Sequence, residues 1–350
     1  MRIQINKIFL APIWLLQIAT SAKSFLDNPI LGSRRLNQCG LHLARVKAAA
    51  FMCEWRRRRL AKRVRPEWRE AFERDGFVVI HDVLAPAEFA AMRAAVFSYQ
   101  GSAREMRQGD AITRRLAIDP RMLSEISPLR QLLAHKDVTA LFHYVASFRS
   151  VPLHYVQTIV SNSGDYDPDP QETLHADSFH SSLKAWLFLN PVDADEGPFC
   201  YVAGSHRFTD ARLAWEYRRS LAEANAIDRL SARGSPRVSG QDLAVMCLPE
   251  PTAMAVPENT LVVADTVGFH ARGAALRPGE RVEIWSYLRR NPFLPWLGAD
   301  LFSVPGLAER RVGWLWALRD KLEPWLGQPW QSVGIRRPLD REPPAVGLAD

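Results

Sequence analysis

The longest apolar stretch, Ile8 to Ala19, is broken by Pro12 and Gln17 and falls short of the roughly 20 residues that a membrane-spanning helix needs. Cysteine is scarce. Cys39, Cys53, Cys200 and Cys247 show no C-x-x-C spacing, which excludes a zinc knuckle and a disulfide framework and fits a reducing compartment. No internal repeat and no Gly-rich phosphate loop occurs, so repeat architectures and P-loop chemistry drop out as well.

With 350 residues and 47% hydrophobic content, the chain can bury the core of one large domain with appendages, and disorder throughout is excluded. Its net charge of +7 is unevenly placed. Residues 1–66 hold 14 of the 45 basic residues and two of the 38 acidic ones, Asp27 and Glu54, a local net of +12 that leaves −5 to the remainder. This asymmetry points to an anionic partner for the N-terminal segment and away from a nucleic-acid-binding enzyme.

Within that segment, Leu36 to Val64 reads as a helix with Leu43, Val46, Ala50 and Phe51 on one side and Arg56-Arg57-Arg58-Arg59 and Lys62-Arg63 behind. Beside the Ile8–Ala19 run, it reads either as a segment lying on an anionic membrane surface or as a basic helix packed on the domain. A signal peptide with small residues near Ala22 ranks behind both.

From Pro66 the pattern is that of a folded domain. Pro66 to Asp75 and Pro86 to Tyr99 read as helices, the first ended by Gly76 before a strand from Phe77 to Ile80. Further helices are expected over Pro120 to Ser147. Strands follow at Val151 to Val160, around residues 174–189 and from Pro257 through Tyr287, with a helical insertion over residues 208–241. The Asp/Pro-rich stretch from Ser161 to Pro170 is expected as an exposed loop at a site mouth. Periodicity alone gives a mainly β, mostly antiparallel domain with an N-terminal helical layer.

The chemistry centres on Leu174-His175-Ala176-Asp177-Ser178-Phe179-His180. In an extended segment alternate side chains share a face, so His175 and Asp177 lie side by side, two parts of a 2-His-1-carboxylate metal site with open positions. The expected third ligand is His270, delivered by the β-branched run Leu261-Val262-Val263. His180, an odd number of residues from His175, and His206 are the rival ligands; His135, His143 and His154 are expected to be structural or at the surface. Gln157, Lys184 and Trp186 lie on flanking strands and are candidates for lining a cosubstrate pocket.

The H-x-D pair, the turn from Asn190 to Pro198, Gly204-Ser205-His206-Arg207, His270, Arg281 and the upstream Phe72-Glu73-Arg74-Asp75-Gly76-Phe77 follow in an order that resembles the phytanoyl-CoA dioxygenase family of non-haem iron, 2-oxoglutarate-dependent oxygenases. The resemblance covers roughly residues 67–292. It implies a double-stranded β-helix (jelly roll), Fe(II) held by His175, Asp177 and His270, and 2-oxoglutarate and O2 as cosubstrates. It also implies Arg281 as the anchor of the distal carboxylate, a job suited to the guanidinium fork. Arg272, Arg277 and Arg289 are expected as surface charges. The chain departs from the family at Glu283, where a small residue is usual and which shares the face of Arg281 on an alternating strand. Hydroxylation of an aliphatic C–H is the expected outcome; Asp177 as a ligand argues against halogenation. The competing readings are a non-catalytic jelly-roll binding protein and a cupin-like metalloenzyme that does not use 2-oxoglutarate.

The expected organisation is a basic N-terminal segment (1–65), the oxygenase domain (66–292) and a Trp-rich C-terminal extension (293–350). The substrate is expected to be a small molecule, lipid-like or lipid-linked, and the protein cytoplasmic, peripheral on the inner face of the membrane.

Overall fold

A computed structural model describes residues 7–161, 167, 169–222, 228–298 and 300–340. Among the described residues, eleven strands form two antiparallel sheets: β1 (Phe77–Ile80), β2 (Gly101–Gln108), β3 (Ala111–Ala117), β4 (Leu153–Ser161), β5 (Leu183–Phe188), β6 (Phe199–Tyr201), β7 (Thr252–Ala253), β8 (Leu261–Asp265), β9 (His270–Arg272), β10 (Gly279–Leu288) and β11 (Gln331–Arg336). The larger sheet runs β1-β8-β5-β10-β4-β3-β2-β11 and the smaller one β7-β6-β9. Two facing antiparallel sheets with helices on the outer side make the double-stranded β-helix.

Alternation along the strands assigns each face. On β5, Leu183, Ala185 and Leu187 join the core under the helices Pro66–Asp75, Pro86–Ser98 and Lys136–Ala146, while Trp186 and Phe188 turn inward to meet Phe199 and Tyr201 of the smaller sheet. The first of these helices starts on Pro66 and is closed by Gly76 at φ 87°, the left-handed position that favours glycine. Arg281, Glu283 and Trp285 alternate along β10 and so share its inner face, opposite Ile159, Gln157 and Tyr155 of β4. One side of the larger sheet is thus apolar toward the helices, and the other carries polar side chains into the space between the sheets.

Two regions differ from expectation. Residues 101–117, for which no element is expected, form the β2–β3 hairpin with Gly109-Asp110 as its turn. The C-terminal segment supplies β11, which pairs with β2 at the edge of the larger sheet. Trp316 packs against Tyr155, with ring centroids 6.2 Å apart, whereas Trp314 and Trp325 are exposed.

The N-terminal stretch folds as the helix Lys7–Gln17, a short helix Arg34–Gln38 and a long one, Leu41–Leu60. The long helix packs on the domain through Val46, Ala49, Cys53 and Leu60, and Phe51 faces outward. Three of its arginines point inward. Arg56 donates to the carbonyls of Ser147, Pro292 and Leu294, and Arg57 to Asp265, Ser181 and the carbonyls of Tyr144 and Val145. Arg45 gathers the carbonyls of Ile18, Thr20 and Ala22, which draws residues 18–22 across the end of the β-sandwich. Among the described residues no helix is long and apolar enough to cross a membrane.

Candidate metal centre

His175 lies in an extended segment that is not a regular strand. It exchanges both backbone hydrogen bonds with His270, the first residue of β9, each at 2.9 Å. Directly opposed residues in such a pair project from the same face, and the imidazole centroids stand 4.5 Å apart. Asp177, two residues on, is fixed by its N–H to the carbonyl of Thr266 at 2.9 Å. Thr266 belongs to the turn between β8 and β9, so β8 ends before His270 and the turn completes the delivery. Asp177 Oδ1 is 3.9 Å from His175 Nε2 and 3.7 Å from His270 Nε2, and the three donor atoms all lie within 4.8 Å of one another.

Hydrogen bonds behind the ligands fix how each one points. His175 Nδ1 donates to the Thr173 carbonyl at 2.8 Å and His270 Nδ1 to the Gly268 carbonyl at 3.0 Å, which leaves both Nε2 lone pairs aimed inward. His270 Nε2 is buried with no hydrogen-bond partner among the described residues, as a metal ligand awaiting its ion should be. Lys184 Nζ stands 2.6 Å from Asp177 Oδ2, which holds that oxygen away and presents Oδ1 to the histidines. Gly268 allows no side chain, since a Cβ there would lie 1.9 Å from Tyr201 Oη, whose hydroxyl donates to the Asp265 carbonyl.

Electrostatics suit metal binding. Burial pushes His270 down to about 4, and burial together with neighbouring His270 holds His175 well below the usual imidazole range, so both are neutral ligands near pH 7. Burial alone would raise the Asp177 carboxyl, but the Lys184 ammonium beside it outweighs this and holds it well below the usual carboxylate range. Two neutral imidazoles and one carboxylate on one side of a cavity fit a divalent metal ion.

The three donors open into a cavity of about 360 Å³ between the sheets, lined also by Gln157, Lys184, Trp186 and Arg281. All the candidate site residues therefore converge. Glu283, wholly buried, accepts from Arg281 Nε at 2.9 Å and from Gln157 Nε2 at 2.5 Å, and Gln157 in turn accepts from Arg115 Nε at 2.7 Å. Arg281 also donates to the Gly197 carbonyl. The departure at Glu283 thus fixes the guanidinium in place while occupying part of its fork.

His180 and His206 stand apart, lining a second cavity behind the site with Cys53 and Arg57. His154 bonds Ser286 Oγ at 2.8 Å, and none of His135, His143 and His154 joins the donor cluster.

Arg277 is half-exposed among Asp193, Asp195 and Glu196 as expected, but Arg272 and Arg289 are not plain surface charges. Arg272 shares the face of His270 on β9, lines the cavity and is bonded to Asp169. Asp169, expected in an exposed loop, is 2% exposed because that ion pair carries it inward. Residues 162–166 and 168 of that loop lie outside the described residues. Arg289 lines the cavity from the residue after β10 and is itself exposed. Arg115, Trp285, Trp330 and Lys23 also line the cavity without having been expected there. Lys23 comes from the N-terminal segment and donates to the Asp177 carbonyl; burial lowers its ammonium to about 8.

Residues 72–242 match the family described as phytanoyl-CoA dioxygenase (PhyH). The chain carries a domain of that family. The matched span holds His175 and Asp177 and ends before His270 and Arg281, which the continuing fold brings to them. Among solved structures, the non-haem α-ketoglutarate-dependent epimerase SnoN from nogalamycin biosynthesis is 18% identical over 64% of this chain and 82% of its own, with a TM-score of 0.41. The carbocyclase SnoK from the same biosynthesis is 20% identical over 66% and 85%, with a TM-score of 0.41. HygX from Streptomyces hygroscopicus, with nickel and 2-oxoglutarate bound, is 16% identical over 64% and 86%, with a TM-score of 0.41. No curated protein matches the chain.

Proposed function

We propose that the chain is an Fe(II)- and 2-oxoglutarate-dependent oxygenase that oxidises an aliphatic C–H of a small molecule, with hydroxylation as the outcome. The observation that carries this is the convergence of His175 Nε2, Asp177 Oδ1 and His270 Nε2 on one side of an open cavity, the facial arrangement that suits a non-haem ferrous ion. When bound, iron couples the oxidation to cosubstrate decarboxylation: 2-oxoglutarate, O2 and R–H give succinate, CO2 and R–OH. The protein's own residues orient the reactants. Backbone carbonyls lock both imidazoles, Lys184 holds the carboxylate ligand in one orientation, and the rings of Trp186 and Phe199, 4.2 Å apart, wall the cavity beside the histidines.

Arg281 is the proposed anchor of the distal carboxylate of 2-oxoglutarate, positioned by Glu283 and Gln157. Arg281→Ala should weaken 2-oxoglutarate binding by roughly 10–100-fold, the loss of a charge-assisted hydrogen bond worth about 1.5–3 kcal/mol. A titration in which Arg272→Ala rather than Arg281→Ala loses affinity would move the anchor to β9. The reaction itself is tested by anaerobic Fe(II) loading followed by O2, with succinate expected to form only when 2-oxoglutarate is present. Binding of one Fe(II) without any succinate, across a panel of aliphatic substrates, would favour the cupin-like alternative.

Attachment to an anionic membrane face is the proposed location. It rests on Ile13, Leu15 and Leu16, which are at least half exposed on the helix Lys7–Gln17, and on the exposed Arg58, Arg59, Lys62 and Arg63. Leu15→Ser with Leu16→Ser should reduce co-sedimentation with anionic vesicles, and added salt should do the same; partitioning unchanged by both would remove the idea. Point variants are the right tool because deleting the segment also removes Arg56 and Arg57 from the domain.

A further inference from the structure

The charges lining the metal cavity do not balance. Lys184 is paired with Asp177, Arg272 with Asp169 and Arg281 with Glu283. Arg115 is held by Gln157 and stacks on Trp285 and Trp330, with its guanidinium carbon 3.9 and 4.3 Å from the ring centroids. Lys23, Arg115 and Arg289 thus all lack a carboxylate ion pair among the described residues, and Lys23 and Arg289 are the two that are not held by Gln157 and the indoles. A divalent metal and the 2-oxoglutarate dianion cancel each other, so filling the site as proposed above leaves this excess of positive charge in place. Cations brought together in a partly buried cavity repel one another, and an anion placed between them relieves the cost.

Lys23 is held in this position by a built strap. Arg45 bonds the carbonyls of Ile18, Thr20 and Ala22 at 2.7–2.9 Å, and Asn291 bonds that of Ala19 at 2.9 Å. The N–H groups of Phe25 and Leu26 both donate to the Ala232 carbonyl, at 2.9 and 3.1 Å. Gly234 completes the seat, since a Cβ there would lie 2.3 Å from the Lys23 carbonyl. Residues 18–26 are thus fastened on both sides of Lys23, and its side chain reaches past the rim to the backbone of a metal ligand. Of the charges close enough to act on it, the Asp177 carboxylate favours the ammonium, while Arg289, Lys184 and Arg237 oppose it.

We propose that Lys23 and Arg289 form the recognition site for an anionic group, phosphate or carboxylate, on the substrate. This rests on the reading of the cavity as a substrate site and deepens it. Arg281, Arg272 and the metal belong to the cosubstrate half, and Lys23 with Arg289 to the substrate half, so the N-terminal strap takes part in specificity as well as in packing. An anionic substrate, once seated, neutralises the two cations and places the carbon to be oxidised within the cavity.

The test is calorimetric titration of the full-length protein, without added metal, using glycerol 3-phosphate, glycerate and glycerol as probes. At least one anion should bind and glycerol should not, and the preferred anion reports whether phosphate or carboxylate is read. Lys23→Met and Arg289→Met should each weaken that binding roughly tenfold or more, as loss of a charge-assisted hydrogen bond predicts, and Lys23→Arg should retain it. Arg281→Met should weaken it less than either of these variants does. The proposal is overturned if neither anion binds, if glycerol binds as well, or if only Arg281→Met weakens binding. A separate titration of 2-oxoglutarate into the Ni(II)-loaded protein reads the oxygenase assignment alone, so its failure leaves the anion result standing.

Discussion

Alanine at His175, Asp177 or His270 is expected to remove Fe(II) binding and all 2-oxoglutarate-dependent turnover while the fold persists. Each side chain supplies one of the three donor atoms, and no fourth His, Cys, Asp or Glu among the described residues joins the cluster as a substitute. Loss of even an outer partner of a metal ligand costs about 10–100-fold in affinity or activity, and loss of a ligand itself should exceed that. His180→Ala and His206→Ala provide the contrast. Both side chains face the second cavity, so iron occupancy should stay at the wild-type value in each. Anaerobic metal titration with far-UV circular dichroism separates lost binding from lost fold. Full iron occupancy in all three ligand variants would show that the donor set lies elsewhere.

The metal ligands were legible because alternation and residue type are local properties. His175 and Asp177 needed only an extended backbone, and the segment supplies it through hydrogen bonds to His270 and Thr266 although it never becomes a regular strand. Arg272 was legible by the same rule, two residues from His270 on one face, and was misplaced because an arginine is usually at the surface; its buried partner Asp169 lies 103 residues away in sequence. The β2–β3 hairpin escapes the hydrophobic pattern because its strands carry arginines at buried positions. Arg104 and Arg114 are 5% exposed, held by Asp320 and Glu105, so tertiary pairing overrides the hydrophobic pattern. Lys23 gave no local signal at all: its place depends on a strap fastened by Arg45, Asn291 and the backbone near Ala232.

Arginine side chains of the N-terminal segment bear on the domain in very different degrees, and Arg57 and its neighbour Arg58 should separate sharply in stability. Arg57 Nη2 lies 2.7 Å from Asp265 Oδ2, with side chains 13% and 1% exposed. Removing one partner of such a pair leaves a buried charge uncompensated, and Arg57→Ala is expected to cost about 3–5 kcal/mol of unfolding free energy. Arg58 pairs with Glu54 at 3.2 Å, but those side chains are 77% and 58% exposed, so Arg58→Ala should cost no more than about 0.5 kcal/mol. The consequence extends to the metal. Asp265 also accepts from the N–H groups of Ser182 and Val267, and its carboxylate thereby orders the turn whose Thr266 carbonyl fixes Asp177 and whose Gly268 carbonyl fixes His270. Arg57→Ala should therefore also weaken Fe(II) binding in the fraction that remains folded, by about the 10–100-fold typical of outer-shell losses, whereas Arg58→Ala should leave it alone. Denaturant unfolding and metal titration on the two variants decide the matter. Equal unfolding midpoints for Arg57→Ala and Arg58→Ala would mean that the long N-terminal helix is only draped on the domain, and a chain starting at Pro66 would then fold and bind iron as well as the full-length protein does.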